Sequence, residues 1–179
     1  MTDQTSLPAP QQASTAAPPG LVIPVTGAVG SGPTEVAAFD RALANAGISN
    51  LNLIRLSSVI PTGSRIVVSI DDTPRSIGGG WGDRHYVVYA DARATEPGQL
   101  AAACVGWVQN PDTGAGLFVE VEGDDEDRVR SDVVASLEAM ARTRDIDLGS
   151  CTLLSRSIRC EDEPVCALVV ASFTTEGWM

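Results

Sequence analysis

The sequence predicts an α+β sandwich, on three observations. Apolar strand-like segments outnumber helical ones. The two helical segments follow sheet segments without the regular alternation of a βαβ protein. The composition is 44% hydrophobic but only 4% aromatic, so a core must be filled by Val, Ile, Leu and Ala. A chain of 179 residues is long enough to close one such core as a single domain.

The elements follow in order. Residues 1–20, rich in Pro, Ala, Ser, Thr and Gln, read as a disordered tail, leaving 21–179 as the single domain. The tail lacks the basic start and continuous apolar stretch of a secretory signal. Leu21–Val29 is extended, and Gly27–Gly32 reads as a glycine-rich turn. This GAVGSG run lacks the full spacing of a dinucleotide fingerprint, and Pro33 and Thr34 open a short helix directly after it. Thr34 can cap that helix. Val36, Phe39, Leu43 and Ala46 recur at helical spacing along it, and Gly47 ends it. Asp40 lies at the edge of this apolar stripe. Leu51–Ser57 alternates as a strand, which would put Asn52 and Ser58 on one face, with Pro61 ending the ladder.

Further strands are expected at Arg65–Ile70, His85–Ala90, Gly116–Glu122, Cys151–Ile158 and Val165–Phe173, with Leu100–Val108 either a strand or a short helix. Gly78–Gly82, GGGWG, is a flexible loop whose Trp81 could cover a site. Asp124–Arg144 is the one long helix. Its stripe is Val129, Val133, Leu137 and Met140, with acids at its start and Arg142 and Arg144 at its end, as the helix dipole favours.

Composition excludes several kinds of chemistry. A net charge of −11 disfavours nucleic acid, which needs a basic face. No apolar run approaches the roughly 18 residues of a membrane span, so a soluble, cytoplasmic protein is expected. Cys104, Cys151, Cys160 and Cys166 form no CxxC pair, and His85 is the lone histidine, so no metal site is expected and buried free thiols are the simpler reading. All twelve basic residues are arginine. Without lysine there is no ε-amine for a pyridoxal phosphate enzyme or a lysine aldolase, nor for a P-loop.

An imine chemistry here would therefore need an electrophile made from the backbone, and Ser57-Ser58 at the end of a strand can supply one. Attack of Ser58 Oγ on the carbonyl of Ser57 turns the peptide into an ester. β-Elimination and hydrolysis then leave a chain beginning with a pyruvoyl group, whose ketone proteins otherwise lack. The α-amine of an amino acid can condense with that ketone, carbon dioxide can leave, and the electrons can spread toward the adjacent amide carbonyl.

Two motifs, AFDRALANAGISNLNLIRLSSVIP at Ala38–Pro61 and GLFVEVEG at Gly116–Gly123, resemble the pyruvoyl-dependent arginine decarboxylase family. The likeness extends more loosely through the long helix and the last two strands. It implies a four-layer αββα sandwich and cleavage between Ser57 and Ser58, giving a β chain 1–57 and an α chain 58–179 that starts with the pyruvoyl cofactor. It also implies decarboxylation of arginine to agmatine, a polyamine precursor, and trimers, sometimes paired, with sites between neighbouring protomers. By their matched positions, Asn52 is expected near the pyruvoyl group, Glu120 as proton donor and Asp40 as acceptor of the substrate guanidinium, a pairing that can be bidentate. On these roles Glu120→Gln is expected to retain cleavage and slow turnover. Ile77–Tyr89, IGGGWGDRHYVVY, departs from the family's more apolar pattern. Another amino acid substrate, or an unprocessed relative serving as a binding subunit, are the alternatives.

Overall fold

The computed structural model describes residues 20–69, 77–144, 147 and 149–178. The expected tail, apart from Gly20, and Ile70 at the end of one expected strand lie outside the described residues. Within them the chain runs β1 (Val22–Ser31), α1 (Glu35–Asn45), β2 (Asn52–Arg55), β3 (Val59–Ile60), β4 (Arg65–Ser69), β5 (Arg84–Ala94), β6 (Leu100–Gln109), β7 (Gly116–Gly123), α2 (Glu126–Arg142), β8 (Thr152–Arg159) and β9 (Val165–Glu176).

The strands form two sheets, one of five in the order β2-β5-β9-β1-β4 and one of four in the order β3-β7-β6-β8. Strands alternate their side chains between faces, and three apolar clusters show where each face goes. Ile23, Val25, Val88 and Val169 of the first sheet meet Val105 and Phe118 of the second. The outer face of the first sheet packs Val87 and Leu168 against Ala38 and Ala42 of α1. The outer face of the second packs Cys104 and Val119 against Val129, Val133 and Leu137 of α2. These are the four layers αββα that the resemblance implies. Leu100–Gln109, left open as strand or helix, is a strand with eight of its ten residues buried, because it runs through the middle of its sheet.

Both helices start as their sequences require. Thr34 Oγ1 accepts from Ala37 N at 3.1 Å, and Asp125 Oδ1 accepts from Arg128 N at 3.0 Å. The apolar stripe of α1 differs from the expected one. Val36 is 71% exposed, and the buried line is Ala38, Ala42 and Leu43. The reason lies opposite. The supposed turn Gly27–Gly32 is mostly strand, and Gly30, inside β1, is covered by the backbone of α1: a Cβ there would lie 2.4 Å from Ala38 O and from Ala42 N. The helix rests on the strand where neither carries a bulky side chain, so small residues face the sheet. Gly27 faces the other way, where a Cβ would lie 2.7 Å from Arg156 Cγ of β8.

Two polar groups tie elements together. The buried His85 of β5 bridges to β9, with Nδ1 2.9 Å from Thr175 Oγ1 and Nε2 3.0 Å from Ser172 Oγ. Burial holds its pKa below the ordinary value of 6.5. Glu126, at the start of α2, accepts from Ser157 Oγ at 2.5 Å and from Ser155 Oγ at 2.7 Å on β8. These bonds hold its carboxyl below the ordinary value of 4.5. The four cysteines are free. Burial pushes the Cys104 thiol up to about 11 and the Cys166 thiol up to about 12, so both are inert at neutral pH.

Gly30→Ala is expected to destabilise the fold by about 3 kcal/mol, since backbone atoms of α1 must move to admit the methyl group; urea denaturation measures this. Stability should also fall in acid. The folded chain binds protons at His85 and Glu126 less readily than the unfolded chain, so their contributions are present above the unfolded pKa values and lost below them. The urea midpoint should begin to drop as the pH falls through 6.5 and drop again below 4.5, and the first step should be absent in His85→Gln.

Candidate active site

The serine pair stands where the chain changes sheets. Leu56 N donates to Val87 O at 2.8 Å, the last bond to the first sheet. Ser58 O accepts from Phe118 N at 2.8 Å, the first bond to the second. Between these anchors, among the described residues, neither the Ser57 carbonyl nor the Ser58 amide has a hydrogen-bond partner. The strand expected over Leu51–Ser57 accordingly ends at Arg55, because regular pairing cannot continue through a turn out of the sheet.

Making that turn places Ser58 at φ +67°, the single non-glycine residue with positive φ among those described. A serine avoids this conformation unless its surroundings hold it, at a cost of order 1–3 kcal/mol. Glu120 provides part of the hold. It lies on β7 two residues beyond the buried Phe118 and therefore on the same inner face. Ser58 Oγ is 2.8 Å from Glu120 Oε1 and 2.9 Å from Oε2, so its hydroxyl donates to a carboxylate that straddles it. Both residues are half-buried, while Ser57 is exposed. The arrangement is a nucleophilic hydroxyl, a base in contact with it, and an adjacent carbonyl free of hydrogen bonds.

Ser57, Ser58 and Glu120 are thus brought together within one chain. Asn52 and Asp40 stand elsewhere. Asn52, exposed on β2, donates through Nδ2 to Gly82 O at 2.5 Å. It does not share a regular strand face with Ser58, since the strand ends between them. Asp40, exposed on α1, makes no hydrogen bond or ion pair with another described side chain. Among the described residues, the outer edge of β2 and the edge of β7 that faces away from β6, beyond Phe118, have no strand partner, on the side of the sandwich that carries the serines.

A cation–π ladder that the sequence did not predict ties β2 to the rest of its sheet and to α1. Arg55 lies over the Tyr89 ring, 4.4 Å from its centroid, and donates to Tyr89 O. Phe39 stacks on the same ring at 6.5 Å, and Arg93 caps Phe39 at 4.4 Å. This ladder joins β2, β5 and α1 on the outer face of the first sheet, starting two residues before Ser57. Its members are far apart in sequence, so no local pattern announces them. Among the described residues, no group of three His, Cys, Asp or Glu side chains is placed to hold a metal ion.

Comparison with known proteins identifies the family. Residues 22–177 match the family model described as pyruvoyl-dependent arginine decarboxylase. Proteins named pyruvoyl-dependent arginine decarboxylase are similar over most of their length. The one from Thermococcus kodakarensis is 33% identical over 148 residues, covering 80% of this chain and 88% of the relative. One from Halobacterium salinarum is 36% identical over 150 residues with the same coverage, and one from Pyrococcus furiosus is 31% identical over 142 residues. With the matched region spanning both sheets, the serine pair and the glutamate that holds it, the chain belongs to the pyruvoyl-dependent arginine decarboxylase family.

Proposed function

We propose that this protein is a self-processing decarboxylase that converts L-arginine to agmatine and carbon dioxide, and that Ser58 is the precursor of its pyruvoyl group. The observation that carries the reading is the Ser58 hydroxyl held by both oxygens of Glu120 at a left-handed residue.

The contact gives Glu120 work in maturation as well as in turnover. Its carboxylate can take the proton of Ser58 Oγ as the oxygen bonds to the carbonyl carbon of Ser57. The same proton can pass to the Ser58 nitrogen as the C–N bond breaks, leaving an ester and a free amine. The regenerated carboxylate can then accept the α-proton of residue 58 as the Ser57 carboxylate departs. Water completes the change by releasing ammonia. Release of a positive-φ serine into a planar group also relieves backbone strain, which favours the forward direction.

A pyruvoyl group formed from Ser58 would supply an electrophilic ketone able to take up an amine and to draw electrons during loss of carbon dioxide. Glu120, in contact with the Ser58 hydroxyl, would be within reach to return a proton there. Asn52 can donate to developing negative charge without bringing charge of its own, a role worth roughly 3 kcal/mol at comparable sites. Asp40 suits a guanidinium. Since neither contacts Ser58 within the chain, the reading completes the site with a second copy of this chain, in a homotrimer or a dimer of trimers. Open strand edges beside the serines and exposed apolar residues nearby, Val59 at 55% and Trp81 at 86%, support such an interface. Among the described residues no helix is long and apolar enough to cross a membrane, and the reading places the enzyme in the cytoplasm.

Denaturing intact-mass analysis after borohydride reduction with arginine should show two chains split at Ser57/Ser58 and an arginine-derived adduct on the larger. One unsplit chain would favour an unprocessed binding subunit. Ser58→Ala should abolish the split. Glu120→Gln should slow processing as well as turnover, each by about 100-fold or more, and unchanged processing would confine Glu120 to turnover. Asp40→Ala should raise KM for arginine at least tenfold while sparing a neutral amino acid; equal losses for both would remove Asp40 from guanidinium binding.

A further inference from the structure

The segment that departs from the family pattern packs directly against Asn52. Gly79 and Gly82 have φ of +143° and +84°, which only glycine adopts freely, so the GGGWG loop has a defined shape. Backbone bonds fix it to the start of β2: Gly82 N donates to Asn50 O at 2.7 Å, and Asn52 N donates to Asp83 O at 2.8 Å. Asp83 closes the loop from inside by accepting from Gly80 N at 2.6 Å.

The carbonyl of Gly82 then receives two side-chain donors. One is Asn52 Nδ2 and the other is Trp178 Nε1, at 2.8 Å. Trp178 lies just past the end of β9 and is 67% exposed, so core packing does not hold it. Arg84 does. Its guanidinium sits over the indole, 4.9 Å from the ring centroid, while Nη2 donates to Gly177 O at 2.9 Å and lies 3.5 Å from Glu176 Oε2. Glu176 and Gly177 thus hold Arg84 over the indole, Trp178 alone reaches the Gly82 carbonyl oxygen from the far end of the chain, and that oxygen orients the amide of Asn52. A carbonyl has two lone pairs. With both engaged its direction is fixed, and the Asn52 side chain is left with one N–H and its Oδ1 to offer elsewhere.

We infer that Trp178 is a positioning residue for the decarboxylation step: through Gly82 O it holds the Asn52 amide in the orientation that meets developing charge in the completed site. The inference rests on the role given to Asn52 above. It accounts for the charges of Asp83 and Arg84 in the departing segment, which serve the loop and the indole rather than the substrate.

The test compares Trp178→Phe, which keeps a ring for Arg84 and removes only the N–H donor, with Asn52→Ala and the double variant. Processing is followed by intact mass, and kcat and KM for arginine are measured on the processed enzymes. Trp178→Phe should process fully, keep KM within about twofold and lose about three- to tenfold in kcat, the worth of one hydrogen bond. In the double variant kcat should be no lower than in Asn52→Ala alone, because the bond acts only through Asn52. Wild-type kcat in Trp178→Phe, a fall in processing instead of turnover, or additive losses in the double variant would each overturn the inference. If Asn52→Ala itself keeps wild-type kcat, the role of Asn52 fails and the inference fails with it.

Discussion

Between the amide of Leu56, bonded to the first sheet, and the carbonyl of Ser58, bonded to the second, the chain has three residues in which to change layers. No regular backbone conformation makes that step. The left-handed φ of Ser58 makes it, and the glutamate that stabilises the bend also sets a proton acceptor in contact with the Ser58 hydroxyl. Strain, exposure and proton acceptor thus arise from one geometric demand. The sandwich layers themselves do not need the reaction. They need only a crossing there, and the crossing presents the peptide.

The same demand explains how the remainder is arranged. β7 must lie at the side of its sheet where β3 is short, so that Glu120 can face inward beside the serine without another strand covering it. α1 must sit close over β1, and Gly30 with Ala38 and Ala42 removes the side chains that would hold it away. Asp40 is then carried on the exposed face of a helix whose position is set to within a methyl group. The cation–π ladder from Arg55 to Arg93 ties that helix to β2 and β5.

Much of this was legible in the sequence, and what was not has physical reasons. The long helix, with Val129, Val133 and Leu137 inward, follows from periodicity and charge, and seven of the strands from alternation and apolar runs. The serine pair and Glu120 were readable through their motifs, although their contact spans 62 residues and no spacing rule reports it. Glycines misled at Gly27–Gly32, because a glycine needed for a turn and one needed for close packing look alike locally. Hydrophobicity chose Val36 for the stripe of α1, whereas tight packing chose alanine. The early end of β2 was hidden for a related reason: alternation continues to Ser57 while hydrogen bonding, which the sequence does not display, has already stopped. Trp178 gave no signal at all, since its partner is a backbone carbonyl 96 residues away.

Strand order would also shape the fate of a molecule cut after Ser57. β1 lies inside its sheet, paired through seven residues to β9 and five to β4, and β2 is paired through four to β5. A break after Ser57 would leave these ladders intact, so the small fragment would stay threaded through the middle of the large one with no covalent tie between them. Refolding from the denatured state would then be an encounter of two molecules, dependent on concentration, where the uncut chain needs only itself. The uncut chain would therefore be the form that can find the fold, and a protein cut there would keep it as an inheritance, persisting by slow unfolding rather than by ready return.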